Sequence, residues 1–156
     1  MNKCRLIYKS VASEPQLSNA ALQALMQSSV ASNRELRING ILLLSGTRFL
    51  QVLEGPEKAV NRLFNRIVRD ARHHSVRLIS YEPIGPAYFD EWHMRLVDLY
   101  DLPLPERECF TRKYAHEDGM LLIPETLHLV YALLLDARAF CLTQSRAEQL
   151  AGQSPD

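Results

Sequence analysis

The 156-residue chain balances 18 Lys and Arg against 18 Asp and Glu, so it has no net charge with which to attract nucleic acid or an anionic bilayer. A hydrophobic fraction of 47% and a charged fraction of 23% are those of a soluble globular protein, long enough for one domain with a real core. Cys4, Cys109 and Cys141 are odd in number, far apart and without paired Cys/His spacing; they suggest neither a disulfide framework nor a zinc site and fit a reducing, cytoplasmic setting.

The first residues, Met1 to Arg5, run straight into a strand pattern and lack the long apolar core of a signal peptide. Residues 4–10 alternate with period two, placing Leu6, Tyr8 and Ser10 on one face and Arg5, Ile7 and Lys9 on the other. Pro15 and Ser18 punctuate, and Ser18 is suited to cap a helix running to about Ala31. Leu22, Leu25, Met26, Ser29 and Val30 recur on one face of that helix, which Ser32-Asn33-Arg34-Glu35 is expected to break. Arg37 to Leu44 predicts a second strand. Ser45-Gly46-Thr47 then turns the chain into a third, making a hairpin.

That third strand, the middle of the stretch Thr47 to Pro56, is apolar on both faces, which implies a sheet covered on both sides. One residue interrupts the pattern. Gln51 shares a face with Phe49 and Leu53, so its amide points into whatever covers them, and an unpaired buried amide costs roughly 1–3 kcal/mol. Gly55-Pro56-Glu57 opens a second helix, with Val60, Leu63, Phe64, Ile67 and Val68 on its buried face and Arg62, Arg66 and Arg69 off it. Val76 to Tyr81 and Glu91 to Val97 predict two more strands.

The order strand, helix, strand, strand, helix, strand, strand predicts an α+β, ferredoxin-like βαββαββ sheet, with right-handed crossovers placing both helices on one face. The first and third strands are then adjacent and central, so Tyr8 and Gln51 meet beneath the helices. After Asp101 a short helix is expected from Glu106 to Ala115 and a longer one from Pro124-Glu125 to Gln144. The stripe Leu127, Val130, Leu133, Leu134, Ala137 and Cys141 would cover the second face. The most apolar stretch, Leu127 to Leu135, stops at Asp136 and Arg138 and is too short to span a bilayer.

Taken singly, these residues have plain readings. Tyr8 and Gln51 make a satisfied core pair, Trp92 and Met94 ordinary strand core, Asn33 a helix cap, and His73-His74 partners of a helix C-terminus. The two histidines lack a third metal ligand. No nucleophile and base come together, and Gly55-Pro56 lacks the glycine pattern of a phosphate loop.

Taken together, five blocks closely resemble the BLUF family of blue-light flavin photoreceptors: Arg5-Leu-Ile-Tyr8-Lys-Ser, Asn33, Phe49-Leu-Gln51-Val-Leu-Glu-Gly, Arg69-Asp-Ala-Arg-His73 and Glu91-Trp92-His-Met94. They fall within residues 3–97 in the family's order and spacing. The resemblance implies an FAD whose ring lies between the two helices over the central strands. It implies Tyr8 and Gln51 as the photoactive pair, Asn33 on the ring's polar edge, and Leu25 and Ile67 as apolar flanks. Arg66 and His73 would supply polar or stacking contacts, and Trp92 and Met94 would exchange places in, or couple to, the light response. A tyrosine can give an electron and a proton, and a glutamine offers donor and acceptor on one end group, so its rotation or tautomerisation changes which atoms it serves.

The resemblance further implies residues 1–100 as the flavin-binding domain and residues 101–156 as a helical extension packed on the sheet. The expected protein is no enzyme but a cytoplasmic homo-oligomer that signals to a downstream protein, with no nucleic acid, membrane or metal involved. The chain departs from the family where Ile38-Asn39-Gly40 stands for the commoner Ile-Thr-Gly. The alternative is a cofactor-free ferredoxin-like regulatory or interaction module; colour separates the two. A small flavin oxidoreductase would need a substrate channel and sustained turnover, of which the sequence carries no sign.

Overall fold

The computed structural model describes residues 2–14 and 18–152, so Pro15 lies outside the described residues. Strand β1 (Lys3–Ala12) leads to helix α1 (Asn19–Leu36), then β2 (Asn39–Ser45), β3 (Arg48–Pro56), helix α2 (Glu57–Val68), β4 (His73–Ile84) and β5 (Arg95–Asp98). Helix α3 (Leu104–Lys113), the two-residue strands β6 (His116–Glu117) and β7 (Met120–Leu121), and helix α4 (Leu127–Ala151) complete the chain. The main sheet has the order β4-β1-β3-β2-β5, antiparallel except for the β2–β5 pair, so the first and third strands are central neighbours, as the predicted topology requires.

The side-chain parity of these strands splits the core in two. Leu6, Tyr8, Leu42, Phe49 and Leu53 join Leu22 of α1 and Val60 and Leu63 of α2. Ile7, Ile41, Leu43, Leu50 and Val52 join Phe110 of α3 and Val130, Leu133, Leu134, Ala137 and Cys141 of α4. The two-sided apolarity of β3 thus arises from helices on both faces.

Several boundaries differ from expectation, each for a local reason. Helix α1 runs through Ser32-Asn33-Arg34-Glu35 instead of ending near Ala31, because Asn33 is the buried side chain of its last turn while Arg34 and Glu35 face water. It stops where Arg37 adopts left-handed backbone (φ 59°) and its N–H returns to the Asn33 and Arg34 carbonyls, so β2 begins at Asn39 rather than Arg37. Ser18 caps the start as predicted, its Oγ accepting from the Ala21 N–H at 3.0 Å.

Strand β4 extends well beyond Val76–Tyr81 in both directions, pairing along β1 with two register shifts. Residues 91–94 are not strand, and β5 is confined to Arg95–Asp98. Helix α3 starts at Leu104, ahead of Glu106, and α4 continues past Gln144 to Ala151. The β6–β7 hairpin turns at Asp118 and Gly119, both at positive φ (52° and 77°), which is the Asp-Gly signature of a tight hairpin turn. Among the described residues no helix is long and apolar enough to cross a membrane.

A candidate ligand cavity over the central strands

A cavity of about 350 Å³ opens between α1, α2 and the β1–β3 pair, within the range of small-ligand sites. Its floor is Tyr8 and Gln51. These residues are direct partners across the β1–β3 ladder, so strand pairing alone sets them side by side. The Tyr8 hydroxyl donates to Gln51 Oε1, and Gln51 Nε2 donates to the Met94 sulfur at 3.3 Å. The amide of Gln51 is therefore oriented, with its carbonyl toward the phenol and its NH₂ toward the thioether. Burial, reinforced by the nearby Asp70 charge, holds the Tyr8 phenol well above its ordinary range and hence protonated.

Asn33 reaches the cavity from the last turn of α1 and is buried. Its Nδ2 donates to the His93 carbonyl at 2.7 Å, and among the described residues its carbonyl oxygen accepts from none. Leu25 and Ile67, both half-buried, form opposing walls on the two helices, and the exposed Arg66 stands at the mouth.

His73 lines the cavity too, but both ring nitrogens are engaged. Nε2 lies 2.5 Å from the Ile67 carbonyl, which can only accept, so Nε2 carries the proton; Nδ1 sits 2.8 Å from Ser10 Oγ. The ring also meets Tyr8 edge-on at 6.3 Å. His73 thus braces the wall and the phenol.

Trp92 and Met94 part company, contrary to their expected place on alternate positions of one strand. Because 91–94 is irregular, Met94 enters the cavity-side core and touches Gln51, whereas Trp92 packs into the opposite core. The Trp92 carbonyl accepts from the Gly40 N–H at 3.1 Å. A side chain at Gly40 would collide with the Val52 carbonyl at 2.0 Å and press on the Met94 methyl at 3.4 Å, so the glycine lets strand and thioether approach. Asn39 lies at the half-buried start of β2, opposite Glu54.

Residues the sequence reading did not assign to a ligand also line the cavity: Ser28, Ser29 and Ser32 on α1, Leu42 and Phe49 on the sheet, and Arg69 and Arg72 near the mouth. Ser29 and Ser32 are half-buried on the cavity side of α1, and Ser28 is exposed beside them; small polar groups thus recur along this side of the helix. That pattern was available in the sequence. No group of His, Cys, Asp and Glu among the described residues could hold a metal ion.

The fold and site together define a ferredoxin-like sheet with a small-molecule pocket over its central strands. The chain belongs to the BLUF family, sensors of blue light using FAD, whose family model matches residues 4–95. Over 92 residues it is 34% identical to photoactivated adenylate cyclase subunit alpha of Euglena gracilis, a match covering 58% of this chain and 9% of that protein. Over 82 residues it is 37% identical to the blue light- and temperature-regulated antirepressor BluF of Escherichia coli K12, covering 51% of this chain and 20% of the antirepressor. The chain therefore spans only a small part of these curated relatives' length. Among solved structures, BlsA in its ground state superposes with a TM-score of 0.70 at 26% identity, over 85% of this chain and 87% of that one.

The residues present fit a flavin. Oriented buried amides at Asn33 and Gln51 offer hydrogen-bonding edges beside a flat apolar slot walled by Leu25 and Ile67. Arg66 and Arg69 put positive charge at the mouth, where the cofactor's phosphates would emerge, while Arg72 beside them is paired with Asp70.

Proposed function

We propose that this BLUF protein senses blue light through a relay of Tyr8, Gln51 and Met94, and that its output is a change in protein contacts rather than a chemical product. The observation that carries this reading is the oriented Gln51 amide between a buried phenol and a buried thioether. Asn33 and Gln51 would hold the ring's polar edge, with Leu25 and Ile67 as its flanks and Arg66 toward the phosphates. Bound FAD supplies a blue-absorbing group that is a strong oxidant when excited.

Tyr8 Oη holds the mobile proton, and Gln51 Oε1 is positioned to accept it. Return of the proton leaves the amide free to settle in either of two arrangements. In one its carbonyl serves Tyr8 and its NH₂ serves Met94, as here; in the other these ends are exchanged or the amide has tautomerised. His73 fixes the phenol's neighbour in both, since it is tied to Ser10 and Ile67.

Loss of the Met94 contact would release the 91–94 segment, which Trp92 carries into the α4-side core. The response would reach α4 and then a partner or a second copy of the chain as a population shift. We take residues 1–100 as the sensor and 101–156 as the extension that reads it, with no enzymatic step and a cytoplasmic setting. Tyr8→Phe and Gln51→Leu are each expected to keep bound flavin and lose the light-induced red shift in absorption. A normal, reversible shift in either variant would refute that residue's role, and a colourless protein that takes up no flavin would favour the cofactor-free module.

A further inference from the structure

Between the end of β4 at Ile84 and the start of β5 at Arg95, residues 85–94 have no strand of their own to hold them, yet they deliver Met94 to Gln51. A buried carboxylate does much of the holding. Glu54, 2% exposed and on the sheet face away from the cavity, accepts the N–H of Tyr88 at 3.0 Å and of Phe89 at 2.5 Å. Phe89 is fully buried.

A lone carboxylate at that depth would be prohibitive, and Arg5 neutralises it. Its Nε and Nη2 lie 2.9 Å and 2.7 Å from Glu54 Oε2, and the guanidinium sits 4.2 Å over the Tyr88 ring. The remaining arm reaches outward: Nη1 lies 3.1 Å from Glu82 of β4 and 3.3 Å from the hydroxyl of Tyr131 on α4, which itself donates to Glu82. One buried cation therefore joins β1, β3, β4, the 85–94 segment and α4. Arg5 and Glu54 are partners on the same two strands as Tyr8 and Gln51, three residues along, and that odd offset places the knot on the opposite face.

We propose that Glu54 and Arg5 are positioning residues of the light response. The carboxylate sets the depth at which the 85–94 segment presents Met94 to Gln51, and Arg5 ties that placement to Tyr131 and hence to α4. This rests on the Tyr8–Gln51–Met94 reading above. Charge and acceptor character matter here as well as shape, because four donors converge on two oxygens. Glutamine at 54 would match the volume but turn an NH₂ toward donors.

The test uses the full chain loaded with FAD. Glu54→Gln is expected still to form the red-shifted state, since Tyr8 and Gln51 are intact. Its dark-return rate should change by at least about fivefold, and the amides of 88–94 should exchange at least about tenfold faster in the dark. Tyr131→Phe removes only the α4 arm; it should return within about twofold of the parent while losing at least about half of the light-minus-dark exchange difference in α4.

A Glu54→Gln protein that folds and returns within twofold of the parent overturns the proposal. So does a Tyr131→Phe protein with the parent's full α4 difference, which decides the matter if Glu54→Gln does not fold. A parent that binds FAD and never shifts sinks the relay reading and this proposal with it; a parent that shifts normally confines any failure to Glu54 and Arg5.

Discussion

The two faces of the sheet are built from the same strands and yet differ in kind. On the α3–α4 face, Ile7, Leu43, Leu50, Val52, Leu133 and Leu134 pack with no residual exposure worth the name, and among the described residues the charged side chains buried as a whole are Arg5 and Glu54, which pair with each other. On the α1–α2 face a cavity of about 350 Å³ reaches down to the strands, and the buried polar groups that line it are a phenol and two amides, whereas the comparable space on the other side, about 370 Å³, lies between α3 and α4 and is lined by no strand residue. A protein interior left to optimise its own stability would fill such a space at ordinary packing density. The contrast teaches that one face is spent on holding the fold and the other on holding a ligand.

Truncation gives the largest test of that contrast. Leu134→Ala, at a fully buried position on α4, is expected to cost about 2–5 kcal/mol in denaturant unfolding. Leu25→Ala, on the half-buried cavity wall, should cost less than about 1.5 kcal/mol in the flavin-free protein. Equal losses would erase the distinction between a packed and a ligand-built face.

Cofactor removal comes next. At a hundredfold excess over Kd, FAD should raise unfolding stability by about 2.7 kcal/mol, and Leu25→Ala should reduce that gain while Leu134→Ala leaves it unchanged. Calorimetry with and without added FAD reads both.

The smallest effect is alkaline. The folded Tyr8 phenol is held above the ordinary value of about 10, first by burial and then by Asp70. Below pH 10 both folded and unfolded chains keep the proton, so the contribution is whole. As pH rises past 10 the unfolded chain releases it first, and stability should fall by about 1.4 kcal/mol per pH unit until the folded phenol also ionises. Tyr8→Phe should remove about 1 kcal/mol of that loss between pH 10 and 11, because the unfolded phenol is only half ionised where the interval begins; an unchanged slope would mean that the phenol is not confined as the cavity floor implies.

Much of this contrast was legible in the sequence because strands write their faces in alternate letters. The parity of Leu6-Tyr8 against Arg5-Ile7, and of Phe49-Gln51-Leu53 against Leu50-Val52, put each side chain on the face where the structure has it. Where side chains meet backbone, parity was silent. The stretch Ser32 to Glu35 reads as a helix break because its composition is polar, yet the helix continues and turns Asn33 inward; what ends it is the left-handed backbone at Arg37, which no pattern of hydrophobicity records.

Trp92 and Met94 are two apart, a spacing that predicts one strand face for both. Residues 85–94 are instead held by Glu54 to backbone N–H groups, by Asn33 to the His93 carbonyl and by Gly40 to the Trp92 carbonyl. Such contacts, between residues distant along the chain, leave no periodic trace. The hairpin at Asp118-Gly119 did leave one, in its turn dipeptide.

Direct pairing of Tyr8 with Gln51 across two central strands has a consequence for how this molecule can change over generations. Inserting or deleting one residue in either strand would throw one member of the pair through the sheet to the other side. Innovation is thereby channelled away from the sensing strands and into connections and appended segments. A stretch similar to this one stands within the much longer chains of photoactivated adenylate cyclase subunit alpha of Euglena gracilis and the antirepressor BluF of Escherichia coli K12.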